Sequence, residues 1–196
     1  MSKSLNIVRK AVEIVFCKGI HRVEYRNIEL IDKNEAYLFM ANHVSWADAV
    51  FLVAKIPNLN TMAKSELFEY PLLKPILKFA NAFPVYRGKK DFKSLLHSVN
   101  ILTKKKESLL IFPEGTRRAI EKGERARNGA TVIAALSRVK VVPVHITEKF
   151  GFFSKVICTF GKPQNIQLSK EDISNKELLT LETERIMKII YDMKEE

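Results

Sequence analysis

The pair His43 and Asp48, five positions apart, constrains the local fold of this chain more than any other feature. In a regular helix, residues five apart lie about 140° from each other around the axis, so the two side chains cannot meet if both are inside one helix. Residues 36–41 are an apolar run typical of a buried strand, and residues 46–55 have the pattern of a helix. We therefore predict that His43 lies on a strand-to-helix turn, where Asp48 can orient it as a general base.

Ser45 and Asp48 allow a second interpretation, which requires no catalysis. A serine followed three residues later by an acid resembles a capping box, in which the acidic side chain accepts a hydrogen bond from the backbone N–H of the cap residue. The pair alone leaves both interpretations open.

A second turn that carries charge follows another apolar run, at residues 108–111. It has the sequence Phe-Pro-Glu-Gly-Thr-Arg at residues 112–117 and so collects an acid, a hydroxyl and a guanidinium. Arg117 has a planar fork of donors that suits a phosphate, and Gly115 lets the backbone approach a ligand closely. An ordinary surface turn with an ion pair would use the same residues, but two such turns in one small chain favour a functional site.

With these motifs the chain resembles the glycerolipid acyltransferases typified by 1-acylglycerol-3-phosphate acyltransferases. That family has a His and an Asp with four residues between them, a block ending in Arg, the run Phe-Pro-Glu-Gly-Thr-Arg, and an apolar block containing Pro. The corresponding blocks here are His43 with Asp48, then residues 82–87, 112–117 and 141–144, in that order. The resemblance covers roughly residues 36–162, and the first and third blocks are its most specific parts.

The resemblance implies a glycerol-3-phosphate acyltransferase-like α/β fold and a direct acyl transfer with neither metal nor cofactor. The donor would be acyl-CoA or acyl carrier protein, and the acceptor the free hydroxyl of 1-acyl-glycerol-3-phosphate, giving phosphatidic acid in phospholipid biosynthesis. His43 would take the proton of the attacking hydroxyl, and Asp48 would fix the tautomer of the imidazole.

The resemblance also indicates residues that bind substrate. Arg117, Arg87 and Lys64 would hold the acceptor's phosphate. Glu114 and Gly115 would shape the acceptor pocket. The full expected set is Lys64, Arg87, Glu114, Gly115, Thr116 and Arg117.

One position departs from the family pattern. A lysine is common before the Gly-Ala pair that follows the second turn, and Asn128 stands there instead. This difference keeps a second acceptor open, either another lysolipid or an acylated amino-acid lipid. A basic lipid-binding protein without catalysis is a further alternative, although such a protein would be expected to lose His43 or Asp48.

Composition fits work on acidic, membrane-held molecules. The 196 residues are 46% hydrophobic, enough for one domain with a real core, and the formal net charge is +11. Such charge favours an anionic phospholipid surface or nucleic acid, and no nucleic-acid fingerprint is present. The longest run without Asp, Glu, Lys or Arg is residues 36–47, twelve positions, against about 20 for a membrane-spanning helix.

These observations predict a cytoplasmic protein bound peripherally to the inner face of a membrane. Arg9, Lys10 and Glu13 interrupt what would be the apolar core of a signal peptide. Cys17 and Cys158 have neither metal-ligand nor redox spacing, so we expect reduced thiols that pack rather than react.

Two segments could contact the membrane. Residues 4–18 can form a helix with one apolar face and basic flanks, although such a helix would equally pack on the domain core. Residues 67–79 are dense in large apolar side chains and contain Pro71 and Pro75, which predicts short helical pieces joined by kinks.

The remaining chain alternates helices and strands, and we read residues 1–196 as a single α/β domain with a mixed sheet flanked by helices. Its motif-bearing core is residues 36–162. Apolar spacing predicts helices at residues 91–103 and 128–137 and strands at 139–146 and 153–160. A last helix would be capped by Ser174 with Glu177, and its apolar stripe would include Leu178, Leu181, Ile186, Ile189, Ile190 and Met193.

Overall fold

The strands of this protein form one mixed sheet. The computed structural model describes residues 10–14, 17, 21–86, 91–119, 123–147 and 155–195. The strands are β1 (Val23–Arg26), β2 (Leu38–Ala41), β3 (Leu59–Lys64), β4 (Ala82–Val85), β5 (Ser108–Ile111), β6 (Val141–Ile146) and β7 (Val156–Phe160).

The sheet has the order β1-β7-β6-β2-β5-β3-β4. Neighbours are parallel except for β6 and β7, which are antiparallel. The predicted mixed sheet is therefore confirmed. Central strands β2, β5 and β6 are buried along their whole length, as parallel strands covered on both faces must be.

Helices cover both faces of the sheet. They are α1 (Asp48–Lys55), α2 (Lys74–Phe79), α3 (Phe92–Thr103), α4 (Gly129–Ser137) and α5 (Lys176–Asp192). Alternation along β2 separates the two cores, since successive side chains of a strand point to opposite faces. Phe39 belongs to the cluster that contains Phe51 of α1, whereas Leu38 belongs to the cluster that contains Ile133 of α4 and Ile186 of α5.

Three strands were not predicted, namely β1, β3 and β4. Strands β1 and β4 lie at the two edges of the sheet, where their side chains are only half-buried or exposed, so neither has the long apolar run of a central strand. Proline has no backbone N–H to donate to a neighbouring strand, so Pro84 is tolerated in β4, which is an edge strand with a neighbour on one side only.

The predicted cap and stripe of the last helix are partly wrong. Asn175, not Ser174, is the N-cap of α5, and its side chain accepts hydrogen bonds from the N–H groups of Glu177 and Leu178. Leu181 is exposed, while the buried face of the first turns is formed by Leu179 and Thr183. From Ile186 onward the predicted stripe is correct, because Ile186 and Ile190 are fully buried.

Residues 65–79 fold as short helical pieces, as the two prolines predict. Two 3-10 helices, Ser65–Glu69 and Pro71–Leu73, lead directly into α2. The proposed N-terminal helix at residues 4–18 falls largely outside the described residues. Of its described part, Val12 packs against the core that Cys17 belongs to, which favours packing on the domain for these two positions.

Candidate active site

His43 lies at the carboxyl end of β2, on the turn that leads to α1. Asn42, directly before it, connects this turn to β6 by two hydrogen bonds. The side chain of Asn42 donates to the carbonyl of Ile146 at 2.8 Å and accepts from the N–H of Ile146 at 2.7 Å. Sequence reasoning gave Asn42 no role. Crevices at the carboxyl ends of parallel strands are the usual ligand sites of open α/β sheets.

His43 and Asp48 meet as predicted. Nδ1 of His43 lies 2.8 Å from Oδ2 of Asp48, and Asp48 is buried. The same carboxylate oxygen accepts from the backbone N–H groups of Val44 at 2.7 Å and Ser45 at 2.8 Å. With Nδ1 facing the carboxylate, Nε2 is the nitrogen left to take a proton from a substrate.

The contacts of Asp48 are compatible with both interpretations of this residue. Asp48 orients the imidazole, and it also reaches back to the N–H of Ser45, as the acid of a capping box does. The reciprocal half of the box is missing, because the hydroxyl of Ser45 accepts from the N–H of Ala47 at 3.2 Å. The helix begins at Asp48, later than the predicted residue 46.

The second charged turn holds His43 from the other side. The imidazole stacks on Phe112, with ring centroids 4.1 Å apart and an interplanar angle of 18°. The N–H of His43 donates to Oε2 of Glu114 at 3.1 Å, and the N–H of Arg118 donates to the carbonyl of His43 at 2.7 Å. The two turns that the sequence singled out are thus one structural unit.

Glu114 has a different place from the one predicted. We expected it to shape the acceptor pocket, but it is buried behind His43, and its other oxygen accepts from the hydroxyl of Tyr191 on α5. Burial raises the pKa of the Glu114 carboxyl above its usual value, and the bonds from Tyr191 and His43 oppose that shift. Tyr191 is a residue that no sequence signal indicated.

A cavity of about 610 Å³ opens beside His43. It runs between β3, β4, α2, α3 and α4, and most of its lining is apolar. The apolar lining includes Val50, Met62, Leu67, Leu73, Ile76, Leu77, Val85, Leu95, Ile111 and Ile133.

Polar residues also line the cavity, on the second turn, on β3 and at the start of α3. Gly115, Thr116 and Arg117 line it, and so does Lys64, which forms an ion pair of 2.8 Å with Glu66. Arg87 lies outside the described residues.

Arg127 is a further cation in this wall that was not predicted. Its N–H donates to the carbonyl of Pro113 at 2.8 Å, and its guanidinium packs beside Gly115. Gly115 has φ +67°, and a Cβ there would lie 3.3 Å from Nε of Arg127. The expected lysine position could have drawn attention to it, since Arg127 directly precedes Asn128.

Asn128 itself is turned toward α5. Its side-chain amide donates to the hydroxyl of Thr180 at 2.9 Å. The residue that departs from the family pattern therefore supports helix packing, whereas its neighbour Arg127 lines the cavity.

Cys17 and Cys158 are free thiols, both fully buried and away from the cavity. Burial raises the pKa of the Cys17 thiol to about 11 and that of Cys158 further still. Both thiols pack in the core, in agreement with the sequence prediction.

Two features are absent from the described part of the chain. In it, no three or more His, Cys, Asp or Glu side chains are grouped as metal ligands would be. None of its helices combines the length and the apolar character required to span a bilayer.

Comparison with known proteins identifies the family of this chain. Residues 22–147 match the family model described as Acyltransferase, and the chain belongs to that family. A 1-acyl-sn-glycerol-3-phosphate acyltransferase of Streptococcus pneumoniae is 30% identical over 150 residues, which cover 72% of this chain and 55% of that protein.

Further relatives have related names. A 1-acyl-sn-glycerol-3-phosphate acyltransferase of Bacillus subtilis is 31% identical over 123 residues, 62% of this chain and 60% of the other. A lyso-ornithine lipid O-acyltransferase of Pseudomonas aeruginosa is 34% identical over 113 residues, 56% of this chain and 42% of the other. The chain spans about half the length of the curated relatives it matches.

A solved structure has the same fold. The crystal structure of the 1-acyl-sn-glycerophosphate acyltransferase of Thermotoga maritima superposes with a TM-score of 0.67 at 21% identity, covering 98% of this chain and 78% of that one. The predicted acyltransferase-like α/β architecture is therefore confirmed.

Proposed function

We propose that this protein transfers a fatty acyl group from an acyl thioester to the free hydroxyl of 1-acyl-glycerol-3-phosphate, giving phosphatidic acid for phospholipid biosynthesis. One observation carries the proposal: the His43–Asp48 pair opens onto a cavity with apolar walls that also holds Arg117 and Arg127. A base, an apolar channel and cations are the three features that this reaction requires.

The proposed chemistry is a direct transfer. Nε2 of His43 takes the proton of the acceptor hydroxyl as its oxygen attacks the thioester carbonyl. The new C–O bond forms, the C–S bond breaks, and the leaving thiolate receives the proton from the imidazolium. Asp48 stabilises that imidazolium through its 2.8 Å contact with Nδ1. The scheme uses no metal, no cofactor and no acyl-enzyme.

Arg117 and Arg127 are the proposed phosphate ligands. Among the described residues, neither has a carboxylate within ion-pair distance, whereas Lys64 is paired with Glu66. A guanidinium can bind two phosphate oxygens at once, so two of them suit a phosphomonoester. Thr116 and Gly115 line the same wall and would contact the acceptor, and Arg87 stays a proposed ligand from the sequence.

The cavity itself is proposed to hold acyl chains. Its volume of about 610 Å³ lies within the roughly 300–1,000 Å³ of small-molecule sites. Its position between α2 and α3 would let a chain enter from the side that carries exposed apolar residues such as Leu72 and Phe92.

We also propose that the protein binds peripherally to an anionic membrane on its cytoplasmic face. Large apolar side chains are exposed beside the cavity, among them Tyr70, Leu72, Tyr86 and Phe92. Lys74, Lys78 and Lys93 lie in the same segments and are exposed. Aromatic and aliphatic side chains with basic neighbours suit the interface of an anionic bilayer.

Leu72→Ser tests this face, with Leu181→Ser as the matched control, because both leucines are exposed but Leu181 lies on α5. We expect Leu72→Ser alone to reduce co-sedimentation with vesicles of phosphatidylglycerol and phosphatidylethanolamine. An equal effect of the two variants would argue against this surface.

A lyso-ornithine lipid is the second candidate acceptor. It is supported by the relative in Pseudomonas aeruginosa and by the replacement of the usual lysine with Asn128. Arginines bind carboxylates as well as phosphates, so Arg117 and Arg127 are compatible with an amino-acid headgroup too.

The deciding experiment uses purified protein with acyl-CoA and with acyl carrier protein as donors. The acceptors are lysophosphatidate, lysophosphatidylcholine and lyso-ornithine lipid, and products are read by mass spectrometry. His43→Ala is compared with His97→Ala, an exposed histidine of α3 that does not line the cavity. Phosphatidate made by the wild type and by His97→Ala, but not by His43→Ala, is the expected result. Transfer to none of the acceptors by any form would favour lipid binding without catalysis.

A further inference from the structure

The carboxylate of Glu114 joins the candidate base to the last helix of the protein. Oε2 accepts from the N–H of His43 at 3.1 Å, and Oε1 accepts from the hydroxyl of Tyr191. Glu114 is only 3% exposed, so these two donors take the place of water. One carboxylate therefore has a donor on each oxygen, one from the active-site turn and one from α5.

A buried carboxylate is stable only if its charge is compensated by hydrogen bonds. Burial is the largest effect on the pKa of Glu114 and raises it, while the bonds from Tyr191 and from His43 lower it. The ionisable groups of the described residues that influence this carboxyl are Tyr191 from α5, His43 from the turn and Asp48 from the start of α1. Of these, Tyr191 is the strongest opposing influence.

Tyr191 is placed firmly enough to act on the turn. It lies near the end of α5, whose residues Ile186 and Ile190 are fully buried in the core beneath β2 and β5. Tyr191 also lies beyond residues 22–147, the part that matches the family model, so the family pattern says nothing about it.

We propose that Tyr191 is a positioning residue: through Glu114 it holds the backbone of His43 so that the imidazole stays aligned with Asp48. The inference rests on the proposed function in that His43 is taken as the base. Loss of the tyrosine hydroxyl would leave Glu114 with one protein donor, the N–H of His43. The carboxylate of Glu114 would then hold the His43 turn less firmly, and the contacts of His43 with Phe112 and with the N–H of Arg118 would remain.

Tyr191→Phe removes only the hydroxyl, and Tyr25→Phe is a stringent control. Tyr25 is also partly buried, and its hydroxyl donates to the carbonyl of Phe51 in α1 at 2.8 Å, without contacting Glu114. We expect Tyr191→Phe to lower kcat about tenfold with KM for donor and acceptor unchanged, because a hydrogen bond to a charged group is lost. Tyr25→Phe should lower the melting temperature but keep kcat. Equal kcat values in the two variants would overturn the proposal.

The second readout is the titration of Glu114, followed by 13C NMR of the carboxyl and assigned with Glu114→Gln. Removal of a hydrogen bond that lowers the pKa must raise it, so the Glu114 titration in Tyr191→Phe should move to higher pH. The backbone amide resonance of His43 should shift in the same variant. Tyr25→Phe should change neither signal, and an unchanged Glu114 titration in Tyr191→Phe would contradict the inference.

These measurements separate the inference from the proposed function, since the NMR titration needs no turnover. If the wild type transfers no acyl group but the Glu114 titration still shifts in Tyr191→Phe, the proposed function is refuted and the coupling of Tyr191 to Glu114 is retained. Glu114→Gln with and without Tyr191→Phe gives a further test, because the tyrosine should have no effect on kcat once its carboxylate partner is gone. Additive losses of kcat would count against a shared route through Glu114.

Discussion

Replacing Asp48 with asparagine separates the two tasks of this side chain, because the substitution keeps the shape and removes the charge. Oδ2 of Asp48 accepts three hydrogen bonds, from Nδ1 of His43 and from the backbone N–H groups of Val44 and Ser45. A bond to a charged acceptor is worth about 1.5–3 kcal/mol and a neutral one about 0.5–1.5. Each of the two backbone bonds therefore loses about 1 kcal/mol.

The stability cost of Asp48→Asn is thus roughly 2 kcal/mol. Asp48 is 1% exposed, so solvent does not screen the loss. For a domain of this size the melting temperature should fall by about 4–8 °C. The rate should fall far more, by roughly 10²- to 10⁴-fold, because the imidazole loses the carboxylate that fixes its tautomer and stabilises its charged form.

Two further variants complete the test. Asp172→Asn is the matched control, since its half-buried carboxylate also accepts from a backbone N–H, that of Ser169 at 2.8 Å, and its partner is a serine rather than a histidine. His43→Ala should lose the same rate as Asp48→Asn but keep more of the stability, because Asp48 retains its backbone donors. The assays are acyl transfer at saturating substrate and urea unfolding. Near-normal kcat in Asp48→Asn with the expected loss of stability would refute the catalytic interpretation and leave only the capping role.

Four other outcomes are expected. Arg127→Gln should raise KM for lysophosphatidate about tenfold. Arg125 is exposed and does not line the cavity, so Arg125→Gln should leave this KM unchanged. Equal KM values for the two variants in steady-state assays would exclude Arg127 from the phosphate site. Gly115→Ala should destabilise the fold by about 1–2 kcal/mol in urea unfolding, because φ is +67° and Arg127 must move. Iodoacetamide at pH 8 should label the thiols of the unfolded protein much faster than those of the folded protein, since burial raises the pKa of Cys17 to about 11; mass spectrometry measures the labelling. The double variant Cys17→Ser with Cys158→Ser should keep the kcat of the wild type.

The sequence predicted local structure wherever that structure depends on residues close together along the chain. The spacing of His43 and Asp48 required a strand-to-helix turn, and Pro71 with Pro75 required short helical pieces. Buried strands β2, β5 and β6 were visible because a strand covered on both faces is a continuous apolar run. Edge strands lack that run, so β1 and β4 were not.

Contacts between distant segments were decided only by the tertiary structure. Glu114 has the same residue type whether it faces a substrate or stands behind His43, and only the docking of α5 brings Tyr191 to it. Arg127 enters the cavity wall and Asn128 turns to Thr180 because α4 begins right after them and points the two neighbours in different directions. Side-chain direction at such a junction depends on how the following helix packs, and that packing is a property of the whole core, in which α4 and α5 share one cluster.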